Sequence, residues 1–175
     1  MAMWKLGFFI VACLVQTQSF AQAQVWTYGQ TTDKSARYAN TVNDSDGVFT
    51  QRCLLESESC YWSIATLTSC EKDASTPILG SADEGAFHLT IVCGESFTYG
   101  GKKYFQYYFD SFDNVDKMVR ASKSIGFAMP LESGLFRVIR FDLTGAVKAI
   151  DSMRTLAQAD IDRKPKKPRT KDLTL

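Results

Sequence analysis

The sequence predicts a mainly β protein: an antiparallel β-sandwich or barrel-like sheet with a C-terminal α-helix packed on it. Short runs rich in aromatic and β-branched residues recur between clusters of Gly, Asn, Asp and Ser, which is the pattern of strands separated by turns. Several runs alternate apolar and polar residues, as strands with one buried face do. A strong helical spacing of apolar residues appears over 144–159. These observations favour an antiparallel sheet closed by one helix.

The first predicted strands flank a turn rich in Asn, Asp and Gly. Residues 35–42 and 48–55 are β-prone, and the sequence between them reads NDSDG, so we expect a hairpin. The acidic turn is not expected to bind calcium. An EF-hand loop aligned on Gly47 would need ligands at Val42 and Cys53, which cannot supply them.

Further strands are predicted in the middle of the chain. Residues 60–70 are rich in aromatic and β-branched side chains, and residues 86–93 alternate apolar and polar ones. Residues 96–109 predict a hairpin around Gly100 and Gly101, because paired glycines suit the positive φ angles of a two-residue turn.

The last third of the chain combines helices with one more hairpin. Residues 112–124 show a weaker helical pattern, and residues 124–131 and 135–143 predict two strands joined by a turn. Apolar residues then recur at spacings of three and four over 144–159, so we expect one amphipathic helix there.

The junction before this helix contains Thr144 and Gly145. We expect the Thr144 hydroxyl to cap the first helical turn and Gly145 to let the helix fold back onto the sheet. A phosphate-binding loop is disfavoured, because such loops use several glycines followed by Lys and Ser or Thr. The junction is therefore interpreted as a structural hinge.

The same junction carries a family resemblance. Phe141, Leu143, Gly145 and Ala149 form an F-x-L-x-G-x-x-x-A-like strand-to-helix stretch. Together with the early Trp, the cysteine-bearing strands and the closing helix, it resembles the bacterial invasion-associated locus B family. The resemblance implies a periplasmic β-sandwich with no established catalytic residues, and it carries no residue role over to this chain.

Residues 1–23 predict an export signal. Lys5 precedes ten mainly apolar residues, fewer than the roughly 20 that span a membrane, so the mature chain is expected to lack a transmembrane segment. Cleavage is expected after Ala23, with Ala21 as the alternative site. Lipid attachment at Cys13 is a further alternative, disfavoured because apolar residues continue past it. The protein is therefore expected in the periplasm or secreted.

The remaining chain has an acidic body and a basic tail. Residues 24–162 contain 13 basic and 18 acidic residues, whereas residues 163–175 contain six basic residues and one acidic residue. Pro165 and Pro168 interrupt the tail, which is expected to be disordered. The expected organisation is a signal peptide over 1–23, a single β-rich domain over 24–162 and a basic tail over 163–175.

Four cysteines remain after cleavage, an even number that points to two disulfides in an exported protein. Four cysteines allow three connectivities. A tight turn after Leu55 would place Cys53 opposite Cys60, which favours a Cys53–Cys60 bridge and leaves Cys70 for Cys93.

The sequence predicts no catalytic residues, metal site or cofactor. His88 is the single histidine, no G-x-S-x-G motif occurs, and no pair of carboxylates stands out. A hydrolase that uses His88 is the less favoured alternative, because a triad can be assembled by the fold from distant residues.

The aromatic hairpin, residues 97–109, is one predicted binding surface. Tyr104 and Tyr108 are expected to form an exposed pair, and Lys102 and Lys103 at the tip suit an anionic partner. The structural alternative is that one face of the hairpin joins the core and the helix over 112–123 covers the other.

The basic tail is the second predicted binding surface. We expect it to adhere to anionic lipid, peptidoglycan or an acidic envelope protein, and not to nucleic acid, which is absent outside the cytoplasm. Its basic residues are Arg163, Lys164, Lys166, Lys167, Arg169 and Lys171.

These features favour a non-catalytic, exported periplasmic binding protein that acts in the envelope or in host interaction. The alternative is an inhibitor of a cell-wall-degrading enzyme such as lysozyme, since the basic surface of lysozyme complements an acidic body.

Overall fold

A computed structural model describes residues 25–131 and 133–163 as one antiparallel sheet of nine strands with two helices. The predicted signal peptide with its cleavage sites, the alternative lipid site at Cys13 and the tail beyond Arg163 lie outside the described residues. In chain order the elements are β1 (Thr27–Gln30), β2 (Ala36–Val42), β3 (Val48–Leu54), β4 (Ser59–Thr66), β5 (Ser75–Ala82), β6 (Gly85–Tyr99), β7 (Lys102–Phe109), α1 (Phe112–Ala121), β8 (Ser124–Pro130), β9 (Phe136–Asp142) and α2 (Ala146–Asp162).

The strands lie in the order β1-β2-β3-β4-β7-β6-β5-β8-β9, and each pair of neighbours is antiparallel. The predicted fold class, a mainly β protein with a C-terminal helix packed on an antiparallel sheet, is confirmed. The longest strand, β6, has 15 residues and a register shift between Cys93 and Ser96. Such an irregularity bends a strand, and here it separates the inner part of β6 from the aromatic hairpin.

Two strands, β1 and β5, are not predicted by the sequence pattern. The β5 sequence contains Pro77 and Gly80, which are typical of turns. Pro77 is tolerated because β8 pairs with β5 only from Leu79 onwards, so position 77 is not called on for a ladder hydrogen bond to β8. A Cβ at Gly80 would lie 2.9 Å from the Met118 Cε. The same Cβ would lie 2.8 Å from Leu89 Cδ1, so glycine here leaves room for two core side chains rather than forming a turn.

The sheet curls around a single aromatic core with Phe49 at its centre. The Phe49 ring stacks on Trp62 at 4.8 Å and lies 5.4 Å from Phe127 and 5.3 Å from Phe141. Phe49 belongs to β3 and Phe141 to β9, which lie far apart in the strand order. The contact is possible only because the sheet bends until its two ends face each other.

Side chains, rather than strand pairing, link the two ends of the sheet. The Asn43 side-chain amide donates to the Arg140 carbonyl oxygen at 3.1 Å, and the Trp26 indole N–H donates to the Asp142 carbonyl oxygen at 2.9 Å. Both acceptors belong to the edge strand β9. Satisfying its carbonyl oxygens blunts an edge that would otherwise pair with another chain.

Both helices help to close the core. Helix α2 packs on β1, β2 and β3, and α1 packs on β4, β8 and α2. Val115, Met118 and Val119 of α1 are buried in the core, so α1 is not the cover for the outer face of the aromatic hairpin. Among the residues that the structure describes, no helix is long and apolar enough to cross a membrane.

The start of α2 differs from the prediction. The N-cap is Gly145, with a φ of 83° in the left-handed region, and no side chain caps the helix. The Thr144 backbone N–H donates to Asp142 Oδ1 at 2.6 Å. The Thr144 hydroxyl and this N–H hold the pKa of Asp142 below its usual value. The expectation that Thr144 caps the helix is wrong, because Thr144 is bound to the preceding strand instead.

Thr41 offers a test of core energetics. It is 1% exposed, and its hydroxyl oxygen has no hydrogen-bond partner among the described residues. We expect Thr41→Val to raise the free energy of unfolding by about 1 kcal/mol, because a buried polar atom without a partner is replaced by a methyl group. Thr66→Val is the control. The Thr66 hydroxyl accepts a hydrogen bond from the Thr68 N–H at 3.0 Å, so that variant should have a free energy of unfolding about 1 kcal/mol lower than the wild type. Urea denaturation measures both, and a destabilised Thr41→Val would contradict the assignment.

A charged network joins β3 to the two helices. Arg154 donates to the buried Gln51 side chain at 2.8 Å and to Asp116 Oδ1 at 2.5 Å, and Arg120 donates to Asp116 Oδ2 at 2.9 Å. Burial disfavours the ionised Asp116, but the two arginines outweigh it and hold the pKa of this carboxyl below its usual value. The folded state therefore favours the ionised form of Asp116.

The network makes stability depend on acid pH. A carboxyl with a lowered pKa in the folded state stabilises fully above its ordinary value of about 3.9 and loses this contribution as the pH falls below it. We expect Asp116→Asn to lower the free energy of unfolding at pH 7 by about 2 kcal/mol and to flatten the fall of that free energy as the pH drops below about 4. Denaturation at a series of pH values measures this. Asp44→Asn is the control, because Asp44 is an exposed carboxyl without an ion pair among the described residues, and its stability should follow pH as the wild type does. If the stability of Asp116→Asn falls with pH as steeply as that of the wild type, the proposed role of Asp116 is contradicted.

Candidate functional site

One concave surface among the described residues is a groove of about 450 Å³ on the outer face of the sheet, which we call the outer groove. Its floor is formed by β2, β3, β4 and β7, and the end of β6 forms one wall. The lining residues are Tyr38, Asn40, Val42, Val48, Thr50, Arg52, Ser63, Ala65, Phe97, Tyr99 and Gln106.

The strand register arranges the floor in three rows. Residues directly opposite each other on β2, β3 and β4 share a row, and successive rows are two residues apart along each strand. The basic row consists of Tyr38, Arg52 and Tyr61. The polar row consists of Asn40, Thr50 and Ser63, and the apolar row of Val42, Val48 and Ala65.

The aromatic hairpin overhangs the apolar row. Its turn is formed by Gly100 and Gly101, with φ angles of 57° and 76°, which is the two-residue turn that the sequence predicts. Lys102 at the tip donates to Asp46 Oδ2 at 2.6 Å, and this ion pair fastens the hairpin to the turn between β2 and β3. Phe97 is 44% and Tyr99 is 75% exposed, so both rings present apolar surface beside the groove.

The predicted exposed pair of tyrosines is wrong in part. Tyr104 is 6% exposed, because the Phe97 ring stacks on it at 5.5 Å. Tyr108 is half-buried and packs edge-on against Tyr61 at 5.3 Å. A Cβ at Gly94 would lie 2.2 Å from the Tyr108 ring, so glycine at this position of β6 lets Tyr108 lie flat over the strand.

The predicted basic residues are partly engaged within the fold. Besides the Lys102–Asp46 pair, Lys103 lies 5.0 Å from the centre of the Phe105 ring. Arg163 is the C-cap of α2 and donates to Asp160 Oδ1 at 2.7 Å, so it belongs to the helix rather than to the tail. The other predicted basic residues of the tail lie outside the described residues.

Disulfides join Cys53 to Cys60 and Cys70 to Cys93. The first links directly opposed residues of β3 and β4. The second ties the loop after β4 to β6 immediately before its register shift. Both therefore brace strands that form or border the outer groove.

His88 is exposed on the outer face of β6, opposite Leu79. Its side chain forms no hydrogen bond within residues 25–131 and 133–163, and the same residues contain no cluster of His, Cys, Asp and Glu that could hold a metal ion. The position of His88 on the polar side of β6 agrees with the alternating pattern.

Comparison with known proteins relates the chain to one solved fold. No protein-family model and no curated protein sequence matches it. The crystal structure of invasion associated protein B from Bartonella henselae matches 78% of this chain and 96% of its own, with a TM-score of 0.53 and 15% sequence identity. The two chains share a fold. The resemblance indicated by the strand-to-helix junction is thus confirmed as a likeness in structure, and at this identity it carries no residue role.

Arg52 and Phe97 are site residues that the sequence does not single out. Arg52 lies in a β-prone run where a charged residue reads as an ordinary solvent-facing position, and Phe97 reads as one of many hairpin aromatics. The signal that would find them is the register, because only pairing of β2, β3 and β4 puts Arg52 between two tyrosines.

Proposed function

We propose that this protein is a non-catalytic binding protein of the bacterial cell envelope and that the outer groove is its ligand-binding surface. The observation that carries the proposal is the groove itself, in which exposed aromatic rings overhang a floor with separate basic, polar and apolar rows. Aromatic and polar side chains around a concave surface are typical of ligand sites.

The cellular setting belongs to the same proposal. Two disulfides favour an oxidising compartment, and the fold is shared with an invasion associated protein. With a signal peptide over 1–23, the chain is exported to the periplasm or secreted.

A photo-crosslinking amino acid at Thr50, on the groove floor, tests the proposal in intact cells. We expect one envelope component to crosslink, and we expect Val42→Trp to abolish the crosslink by filling the groove. Val138→Trp is the matched control, because Val138 is a similarly exposed valine on the outer face of β9. Equal crosslinking in the two tryptophan variants overturns the groove as the binding surface.

We further propose that the tail over 164–175 attaches the protein to an anionic envelope component, either lipid, peptidoglycan or an acidic protein. The support is its excess of basic residues. A chain that ends at Arg163 keeps the cap of α2 and should lose binding to anionic vesicles at low salt. Unchanged vesicle binding removes the tail from the proposal.

A second candidate function is inhibition of a cell-wall-degrading enzyme such as lysozyme. The observation that favours it is the turn between β3 and β4, where Glu56 and Glu58 are exposed and the Cys53–Cys60 disulfide braces the turn. A rigid acidic projection suits a basic cleft. Lysis of cell walls by lysozyme should slow with the wild type and not with the double variant Glu56→Gln, Glu58→Gln. Full lysis at a large molar excess of the wild-type protein would contradict the inhibitor function.

A further inference from the structure

Arg52 in the outer groove has a hydrogen-bond donor without an acceptor among the described residues. Its Nε is buried without a hydrogen-bond partner, and its guanidinium forms no ion pair with any residue in 25–131 or 133–163. Leaving a buried donor of a charged group unsatisfied is costly. The Arg52 side chain lines the groove between Tyr38 and Tyr61 in the strand register. Its terminal N–H groups can donate to an acceptor that enters the groove, and a carboxylate matches such a fork of donors.

Tyr108 adds a neutral donor near this charge. Burial raises the pKa of Tyr108 and the neighbouring Tyr61 raises it further, although Arg52 acts in the opposite direction. The hydroxyl therefore stays protonated at neutral pH. The carboxylate of Glu95 also raises this pKa, so the attraction for an anion at the basic row comes from Arg52 itself.

The polar row and the adjacent Gln106, which lies on β7 opposite Ala65, together have an unused donor and an unused acceptor. The Thr27 hydroxyl donates to Asn40 Oδ1 at 2.7 Å, which leaves the Asn40 N–H groups available. Gln106 donates to the Ser63 hydroxyl at 3.2 Å through its amide nitrogen, which leaves its carbonyl oxygen available. A free amide N–H and a free amide carbonyl are the complement of a peptide bond.

The apolar row lies under the aromatic hairpin and suits a hydrocarbon side chain. Val42 is 50% exposed there, below Phe97 and Tyr99. Along β3 the apolar row is four residues from Arg52, a distance of about 13 Å at roughly 3.3 Å per residue. An extended peptide covers the same distance with about four residues.

From this arrangement we propose that the outer groove binds an extended peptide, with a carboxylate on Arg52 and an apolar side chain, about four residues away, under the aromatic hairpin. The proposal rests on the proposed function of the groove and names its ligand class. The peptide bonds between these two anchors lie over the polar row. The carboxylate belongs either to the C-terminus of the peptide or to an acidic side chain.

Fluorescein-labelled tetrapeptide pools test the proposal by fluorescence anisotropy. Each pool has an apolar first residue and mixed interior residues, and ends in a free carboxylate, in an amide, or in an amidated Glu. We expect an acid form to bind at least tenfold more tightly than the amide pool, since an added charge-assisted hydrogen bond pair is worth that factor. Preference for the free carboxylate assigns a C-terminus, and preference for the amidated Glu assigns a side chain.

Arg52→Gln should bring the ratio of acid to amide affinity close to one, and Arg52→Lys should retain part of it. Arg140→Gln is the matched control, at an exposed arginine on β9 without an ion pair among the described residues, and should keep the full ratio. Lack of binding by every pool at millimolar concentration, or an acid preference unchanged in Arg52→Gln, overturns the peptide proposal. If the Thr50 crosslink is nevertheless lost in Val42→Trp, the groove binds another class of ligand and the proposed function stands. If both experiments fail, both proposals fall.

Discussion

Phe49→Ala is expected to lower the free energy of unfolding by about 4 kcal/mol. Phe49 is completely buried, and its ring contacts five other aromatic side chains from four strands and from the segment before β1. Removing it leaves a cavity in the core where the two ends of the curled sheet face each other. For a domain of this size the loss corresponds to a fall in Tm of roughly 15 °C, which thermal unfolding followed by circular dichroism measures.

Two further variants separate the cavity from the loss of an aromatic ring as such. Phe49→Leu keeps most of the volume and should cost about 1.5 kcal/mol, so the effect stays measurable if the alanine variant does not fold. Tyr99→Ala removes a ring that is 75% exposed and should change stability by less than about 0.5 kcal/mol. A loss for Phe49→Ala no larger than that for Tyr99→Ala would show that the core is organised around another residue.

The sequence predicts which strand residues face the core better than it predicts how the sheet curls to enclose that core. Alternation identifies Leu89 and Ile91 as buried because a strand has a period of two, and both are buried. Nothing local in the sequence brings Phe49 to Phe141, because that contact depends on the curvature of the whole sheet. The β5 strand is missed for a related reason: Gly80 leaves room for the Leu89 and Met118 side chains, a tertiary contact that resembles a turn signal in the sequence.

The candidate site is predictable in kind but not in composition. The aromatic hairpin and its Gly100-Gly101 turn follow from local rules, and they do form one wall of the outer groove. The prediction of an exposed Tyr104 is wrong because strand alternation does not tell which outward-facing rings cover one another. Phe97 and Tyr104 lie directly opposite in register, and their stacking buries one ring while exposing the other. Arg52 likewise becomes notable only through its cross-strand neighbours.

Replacing both Cys70 and Cys93 with alanine is expected to lower the free energy of unfolding by about 3.5 kcal/mol, against about 2.5 kcal/mol for the same change at Cys53 and Cys60. The bridges close loops with sequence separations of 23 and 7, and the longer loop restricts the unfolded chain more. The shorter bridge also joins residues that the hairpin already pairs. Removing this bridge therefore costs still less free energy of unfolding where the unfolded chain retains that turn.

The two double variants serve as controls for each other, since each removes one disulfide and leaves the other intact. Guanidinium chloride denaturation under oxidising conditions gives both free energies, and a larger loss at Cys53 and Cys60 would contradict the loop-length argument. The position of the longer bridge adds a structural consequence. The Asp73 N–H donates to the Cys93 carbonyl oxygen, and the Cys93 N–H donates to the Ala74 carbonyl oxygen, both at 2.9 Å. These bonds keep the loop on β6 in the folded state without the disulfide, so the Cys70 and Cys93 variant should unfold earlier while the aromatic hairpin retains its place over the outer groove.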